Sequence, residues 1–360
     1  PAGADRARMR LLGSDALRVV AVVGVVMIHA SAWGPGRDFS GIQLVSRYSV
    51  PAFMVLTGVV LAYQYAGRPL GQHFVRRRVS RTLLPWLVWM PVYLAFNILV
   101  TRGVHADAGS VYTFLNQGAG HLWYLLLIPQ LYLLFAAWPE RHPWLLVLPS
   151  LALQTALVII RVYGPLPDQL LREVVLVHGF LLFPFWIGYF AIGVAIGRGA
   201  SPRLRTQRHG LLMAVAIIDV AASGYLLLNV DFSHAQYGEF LSGSGAFLNP
   251  VLPLFTITVI ILVLTAAPPL LRMSSRVAGG LRSLSDLSLG IYILHPIPLH
   301  FLGLHLRDPI SSGTPFAFLP FIAIVLGSLI AAAIATRLIA ATPLAVTVGL
   351  EVRPLRAGAA

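Results

Sequence analysis

Three titratable residues stand in the first apolar run of the chain: Asp15, Arg18 and His29, with Val19 to Ile28 apolar between the last two. Arg18 and His29 are eleven residues apart, so a helix sets them on nearly one face, about 16 Å apart along its axis. A charge in lipid costs several kcal/mol unless it is paired or wetted, which makes such groups candidates for chemistry. A neutral imidazole can act as a general base on a hydroxyl near neutral pH, and a guanidinium is a fixed partner for an anion. Two accounts fit these residues. Either Asp15 and Arg18, three residues apart, form a structural pair and His29 is satisfied near the interface, or the three line a reactive path.

Further groups follow. Arg76, Arg77, Arg78 and Arg81 cluster before the third apolar segment. They read either as an orientation signal or as a clamp that binds phosphate oxygens bidentately. If helical, Arg78 and Arg81 are one turn apart and can share one anion. Late in the chain Ser285-Asp286-Leu287-Ser288 leads to Tyr292 and His295, which share a helical face, and Pro296 frees a backbone carbonyl beside them. His121-Leu122-Trp123-Tyr124 opens another apolar segment. Its aromatics read as an interfacial belt or as a surface on which a sugar ring stacks.

The elements that must position these groups are membrane helices. Of 360 residues 57% are hydrophobic and 11% charged, against about 25% charged in a soluble domain; mean hydropathy is +0.79. Ten apolar segments are expected, roughly 11–33, 45–66, 80–101, 120–138, 143–162, 177–197, 209–229, 247–267, 283–305 and 316–342. Each approaches the ~20 residues that cross the hydrocarbon as a helix. Strand-like alternation is absent, and an isolated span must satisfy its own backbone. With the N-terminus inside, 18 arginines fall in inner segments and 4 (Arg37, Arg102, Arg172 and Arg307) in outer loops, so both termini are expected in the cytoplasm. Arg18 then sits in the cytoplasmic half of the bilayer and His29 in the outer half.

The totals exclude much. The net charge of +13 reads as topology, and no nucleic-acid partner is expected. All 26 basic residues are arginine, which removes lysine Schiff-base chemistry. Without cysteine there are no disulfides, thiolate metal sites or cysteinyl acyl intermediates. No metal site is expected, since histidines are scattered and carboxylates scarce. A cleavable signal peptide is not expected, because the first span is polar in places and lacks a small-residue cleavage site. The chain begins at Pro1 without methionine, so the native N-terminus is expected to be missing or altered. The stretches 102–119 and 230–246 read as surface loops, and no internal repeat is visible.

Taken in order, these segments resemble the membrane-bound acyltransferase-3 family of O-acyltransferases. Arg18 and His29 within SDALRVVAVVGVVMIHA match its signature of a basic residue, ten others, then histidine. VPAFMVLTG, with Phe53, Thr57 and Gly58, matches a segment that usually ends in Ser-Gly; threonine departs from that serine, and its hydroxyl is assigned no role. Arg78-x-x-Arg81 matches the arginine pair, HLWYL the fourth-span motif and IYILHP the late tyrosine–histidine motif, so the likeness runs from residue 15 to about 296.

The resemblance implies an all-α, polytopic integral membrane protein of about ten transmembrane helices, residues 1–360 forming one acyltransferase-3 domain. It implies transfer of an acyl group, usually acetyl, from cytoplasmic acyl-CoA to a hydroxyl, often on a carbohydrate of the cell envelope, in the inner membrane of a bacterium. Its donor would be acetyl-CoA or another acyl-CoA, its acceptor a carbohydrate or glycoconjugate. Extended CoA is on the order of 20 Å from phosphates to thioester, similar to the stretch from Arg18 to His29 with side chains. Arg77, Arg78 and Arg81 would hold its phosphates, Asp15 would pair with Arg18, and His29 would act as general base or, alternatively, carry the acyl group. Trp123, Tyr292 and His295 would serve the acceptor or the thioester carbonyl. A second reading is a transporter or flippase for a polar or lipid-linked glycan, its path lined by the intramembrane charges.

Overall fold

The computed structural model describes residues 12–33, 36–68, 70–139, 142–163, 178–199, 209–229, 247, 249, 251–272, 274–311 and 318–350. All regular structure among them is helical. The helices are α1 (Leu12–Ala30), α2 (Gly36–Ser46), α3 (Ser49–Gln64), α4 (Gln72–Phe96), α5 (Ala108–Asn116), α6 (Tyr124–Ala136), α7 (Val147–Tyr163), α8 (Ile187–Gly199), α9 (His209–Asn229), α10 (Leu252–Arg272), α11 (Ser275–Leu294), α12 (Pro296–Ser311) and α13 (Phe318–Ala340). Six are long and apolar enough to cross a membrane, or eight if each of two bent pairs counts as one span; Ile187–Gly199 and Leu252–Ala267 are shorter apolar helices. Arg6, Arg8, Arg10, Arg141, Arg172, Arg203, Arg205, Arg208, Arg353 and Arg356, which carried much of the orientation argument, lie outside the described residues, as does the expected loop 230–246.

Helix α1 is the central post. It packs against α3, α10, α11 and α13, with Leu17, Ala21 and Val26 fully buried. The tightest contact is α3 on α8. A Cβ on Gly193 would stand 2.1 Å from the Val55 carbonyl oxygen, one on Gly197 2.5 Å from that of Val59, and one on Gly58 2.6 Å from that of Phe190. Small residues spaced by four let two backbones touch where lipid offers no hydrophobic drive to hold them together. Helix α11 meets α13 closely as well, Gly290 lying against the side chain of Thr336.

Several expected boundaries change. The apolar stretch expected at 45–66 runs from Phe39 to Gln64, broken at Arg47–Tyr48 between α2 and α3. The segment expected at 80–101 begins as a helix at Gln72, so the arginine cluster lies on the first turns of α4 and not in a loop. Within 102–119, expected to be a surface loop, α5 forms because Asp107 caps it, its Oδ1 accepting from the Ser110 N–H at 2.9 Å. Only Ile187–Gly199 of the segment expected at 177–197 is α-helical; Pro184 lies in short 3-10 turns before it. The segment expected at 283–305 is two helices bent by 67°, and the one at 120–138 continues from α5 with a 42° bend.

Candidate active site

At the N-terminal end of α1, Asp15 and Arg18 meet Ser285 of α11. The serine hydroxyl donates to Asp15 Oδ1 at 2.7 Å and accepts from Arg18 Nη1 at 2.9 Å. The direct Arg18–Asp15 distance is 3.8 Å. Asp15 is 1% exposed, and a buried carboxylate is tolerable only with a cation and hydrogen bonds supplied. Ser285 therefore bridges an ion pair and ties α1 to α11. Asp286, beside it, is exposed.

On α4, Arg76 and Arg77 are exposed while Arg78 and Arg81 are half-buried. Arg78 donates to Gln64 Oε1 at 3.0 Å and to the Tyr65 hydroxyl at 3.3 Å, both at the end of α3, and its guanidinium lies 5.5 Å from the Tyr65 ring centroid. A line of tyrosines leads from there into the bundle. Tyr132 sits against Arg78, with Arg81 and Arg18 also in electrostatic reach. Tyr124 bonds to Thr57 and feels Arg18. Tyr124 and Tyr292 have ring centroids 5.7 Å apart.

At the far end of that line three histidines from three parts of the chain converge. His29 ends α1, His121 lies in the 3-10 turn before α6, and His295 sits at the break between α11 and α12. Ring centroids are 5.1 Å apart for His29 and His295, 5.6 Å for His121 and His295, and 6.3 Å for His29 and His121. Among the described residues no group of three ligating side chains is placed to hold a metal ion.

Two of the three rings have a nitrogen committed to backbone. Pro296 has no N–H, so the Tyr292 carbonyl four residues earlier loses its helical donor. His295 Nδ1 supplies one at 2.8 Å. A carbonyl only accepts, so Nδ1 carries the proton and Nε2 keeps a lone pair; that Nε2 is buried and has no hydrogen-bond partner. His121 Nε2 donates to the Ile293 carbonyl at 3.1 Å, which also accepts from the Tyr93 hydroxyl at 2.5 Å. The Tyr292 hydroxyl closes the set by donating to the His121 carbonyl.

His29 and His121 line a cavity of about 280 Å³, walled further by Trp33, Tyr93, Asn97 and His300. Its floor includes an unusual turn. Gly118, Ala119 and Gly120 have φ of +82°, +60° and +64°, and Ala119 is fully buried. An L residue in this region costs roughly 1–2 kcal/mol. It is held by Ala119 N–H donating to the Phe114 carbonyl at 2.9 Å and by Trp86 Nε1 on the Gly118 carbonyl at 3.3 Å. The turn delivers His121 to the cavity wall.

A family model described as an acyltransferase domain, acyltransferase-3, matches residues 11–337. The chain belongs to the acyltransferase-3 family. No curated protein and no solved structure gives a match. Acyl transfer by a membrane protein is thus the coarse activity.

In this acyltransferase the residues picked from sequence fall into separate groups. Asp15 and Arg18 share the Ser285 bridge; Arg77, Arg78 and Arg81 stand at the start of α4; Tyr292 and His295 join His29. Trp123 does not line the cavity. It stacks on Trp186 at 5.6 Å and meets Phe180 and Phe247 at 5.4 and 6.2 Å. Sequence reasoning named His121 without giving it a role and did not single out Tyr93, Tyr132 or Arg47. His121 opens the HLWYL motif, and Arg47 is a charge inside an apolar stretch, so each carried a signal. For Tyr93 and Tyr132 only the packing shows the contacts.

Proposed function

We propose that this membrane acyltransferase moves an acyl group, most often acetyl, from acyl-CoA to a hydroxyl of a carbohydrate or glycoconjugate, with His29 as general base. The observation that carries the reading is the polar line from Arg78 and Arg81 through Tyr132, Arg18 and Tyr124 to the His29 cavity. It joins an anion-binding end to a base in one bundle.

In this reading Arg77, Arg78 and Arg81 hold the CoA phosphates from the cytoplasmic face of a bacterial inner membrane, and Arg18, braced by Asp15 and Ser285, faces the donor further along. The thioester carbonyl reaches His29. A neutral ring nitrogen of His29 takes the hydroxyl proton while the oxygen attacks the thioester carbon. As the tetrahedral intermediate collapses, the carbon–sulfur bond breaks and the imidazolium returns the proton to the CoA thiolate. His295, its Nδ1 proton committed to the Tyr292 carbonyl, stands beside the base with ring centroids 5.1 Å apart.

The test is release of free CoA thiol from acetyl-CoA by detergent-purified protein, with wild type and His29→Ala compared. The chain has no cysteine, so it adds no thiol signal. Release that depends on His29 supports the reading. No release with candidate glycans, together with no donor binding by calorimetry, overturns it and favours glycan movement across vesicles without a donor.

A further inference from the structure

Arg47 is the buried charge that this reaction does not use. It lies at the break between α2 and α3 and is 5% exposed. Its Nε has no hydrogen-bond partner, and among the described residues no carboxylate is paired with it. Its guanidinium sits 4.4 Å from the Phe247 ring centroid. A cation–π contact repays only a fraction of what desolvating a guanidinium costs.

The surroundings are built in the same sense. Asn249, two residues from Phe247, is buried with Nδ2 unsatisfied, and so is the Ser49 hydroxyl, two residues from Arg47. Phe247 and Val251, which flank Asn249, pack in one cluster with Leu44, Val45 and Tyr48 around the break. Unsatisfied buried donors of this kind call for an acceptor-rich partner. The rings of Trp123 and Trp186 close on Phe247 beside them.

The position relative to His29 decides which substrate is meant. Tyr48 and Ser46, the chain neighbours of Arg47, lie against Gly24 of α1, five residues before His29, and Arg47 is in electrostatic reach of His29. The donor phosphates have their own arginines at the start of α4. We propose that Arg47 is an anion site for the acceptor, pairing with a carboxylate or phosphate ester on the sugar whose hydroxyl is acylated at His29. This rests on the acyltransferase reading and names the substrate class: an acidic or phosphorylated sugar.

The experiment is thermal unfolding of the full chain in detergent with acetyl-CoA present to occupy the α4 arginines. The probes are methyl glucuronide, glucose 1-phosphate and, as neutral control, methyl glucoside. The expected result is that at least one anionic probe raises the unfolding temperature by about 2 °C or more while the glucoside does not. The larger shift identifies carboxylate or phosphate as the source. Arg47→Gln should lose the shift, Arg47→Lys should keep part of it, and Arg47→Gln without probe should unfold no earlier than wild type. No anion-specific shift in wild type overturns the proposal. An undiminished shift in Arg47→Gln does so too, as does a resting Arg47→Gln protein less stable than wild type, since the cation would then be structural. Thiol release by wild type and His29→Ala in the same preparation reports on the reaction separately. Release without an anion shift removes only the Arg47 assignment, whereas no release removes the reaction on which it rests.

Discussion

His295 Nδ1 lies 2.8 Å from the Tyr292 carbonyl, the carbonyl that Pro296 leaves without a helical donor. One missing N–H thus fixes the orientation and tautomer of a ring that lies 5.1 Å from His29. Chain geometry, rather than a carboxylate, orients the histidine beside the proposed base.

Pro296→Ala restores the backbone donor and competes with His295 for that carbonyl. The 67° bend should relax and the His295 ring should lose its anchor. Acyl transfer should fall while donor KM stays near wild type, measured as a split between kcat and KM.

His29→Ala should lower kcat by roughly 10²- to 10⁴-fold, the usual share of a general base. In wild type the rate should rise with pH and level off, because only neutral imidazole accepts the proton. A residual pH-dependent limb of the same shape in His29→Ala would show that another group is the base.

Arg78→Ala should raise the KM for acyl-CoA by about 10- to 100-fold, the loss of a charge-assisted contact, with kcat at saturation largely kept. Arg78→Lys should recover little, since an ammonium cannot reproduce the planar fork. Steady-state kinetics at two salt concentrations checks both, the wild-type KM being the more salt-sensitive.

Ser285→Ala removes the hydroxyl that bridges Asp15 and Arg18 and should cost about 1–3 kcal/mol. Thermal unfolding of the purified protein reads the loss, and Ser285→Thr should recover part of it.

Gly193→Ala forces a methyl to within 2.1 Å of the Val55 carbonyl oxygen, so α3 and α8 must part. Overpacking of this kind costs typically about 1–3 kcal/mol. Gly279→Ala, where a Cβ meets nothing within 4 Å, should instead be neutral or stabilising by up to about 1 kcal/mol. The unfolding temperature of Gly193→Ala should fall, while that of Gly279→Ala should hold or rise.

The helices were legible because lipid permits little else: long apolar runs and placed arginines announce themselves. The Arg18–His29 spacing was legible for the same reason, being local to one helix. The bend at Pro296 could be read as a carbonyl set free, but not that a histidine one residue away would take it. His121 and Tyr93 both meet Ile293, about 170 to 200 positions along the chain, and no periodicity encodes such a meeting. Arg47 stands within or at the end of an apolar segment, outside the count of loop arginines; its burial against Phe247 is a property of packing, visible only once its neighbours are in place.

The left-handed run Gly118–Ala119–Gly120 bears on how this cavity can change over generations. On that side its shape is set by main chain, not by rotamers, so side-chain replacements there have little to trim. Changes of shape are reached more cheaply through Trp33 and His300 of the same lining, whose rings meet at 5.9 Å. Divergence in substrate choice should therefore be inherited unevenly around the cavity, concentrated on one rim and nearly silent on the other.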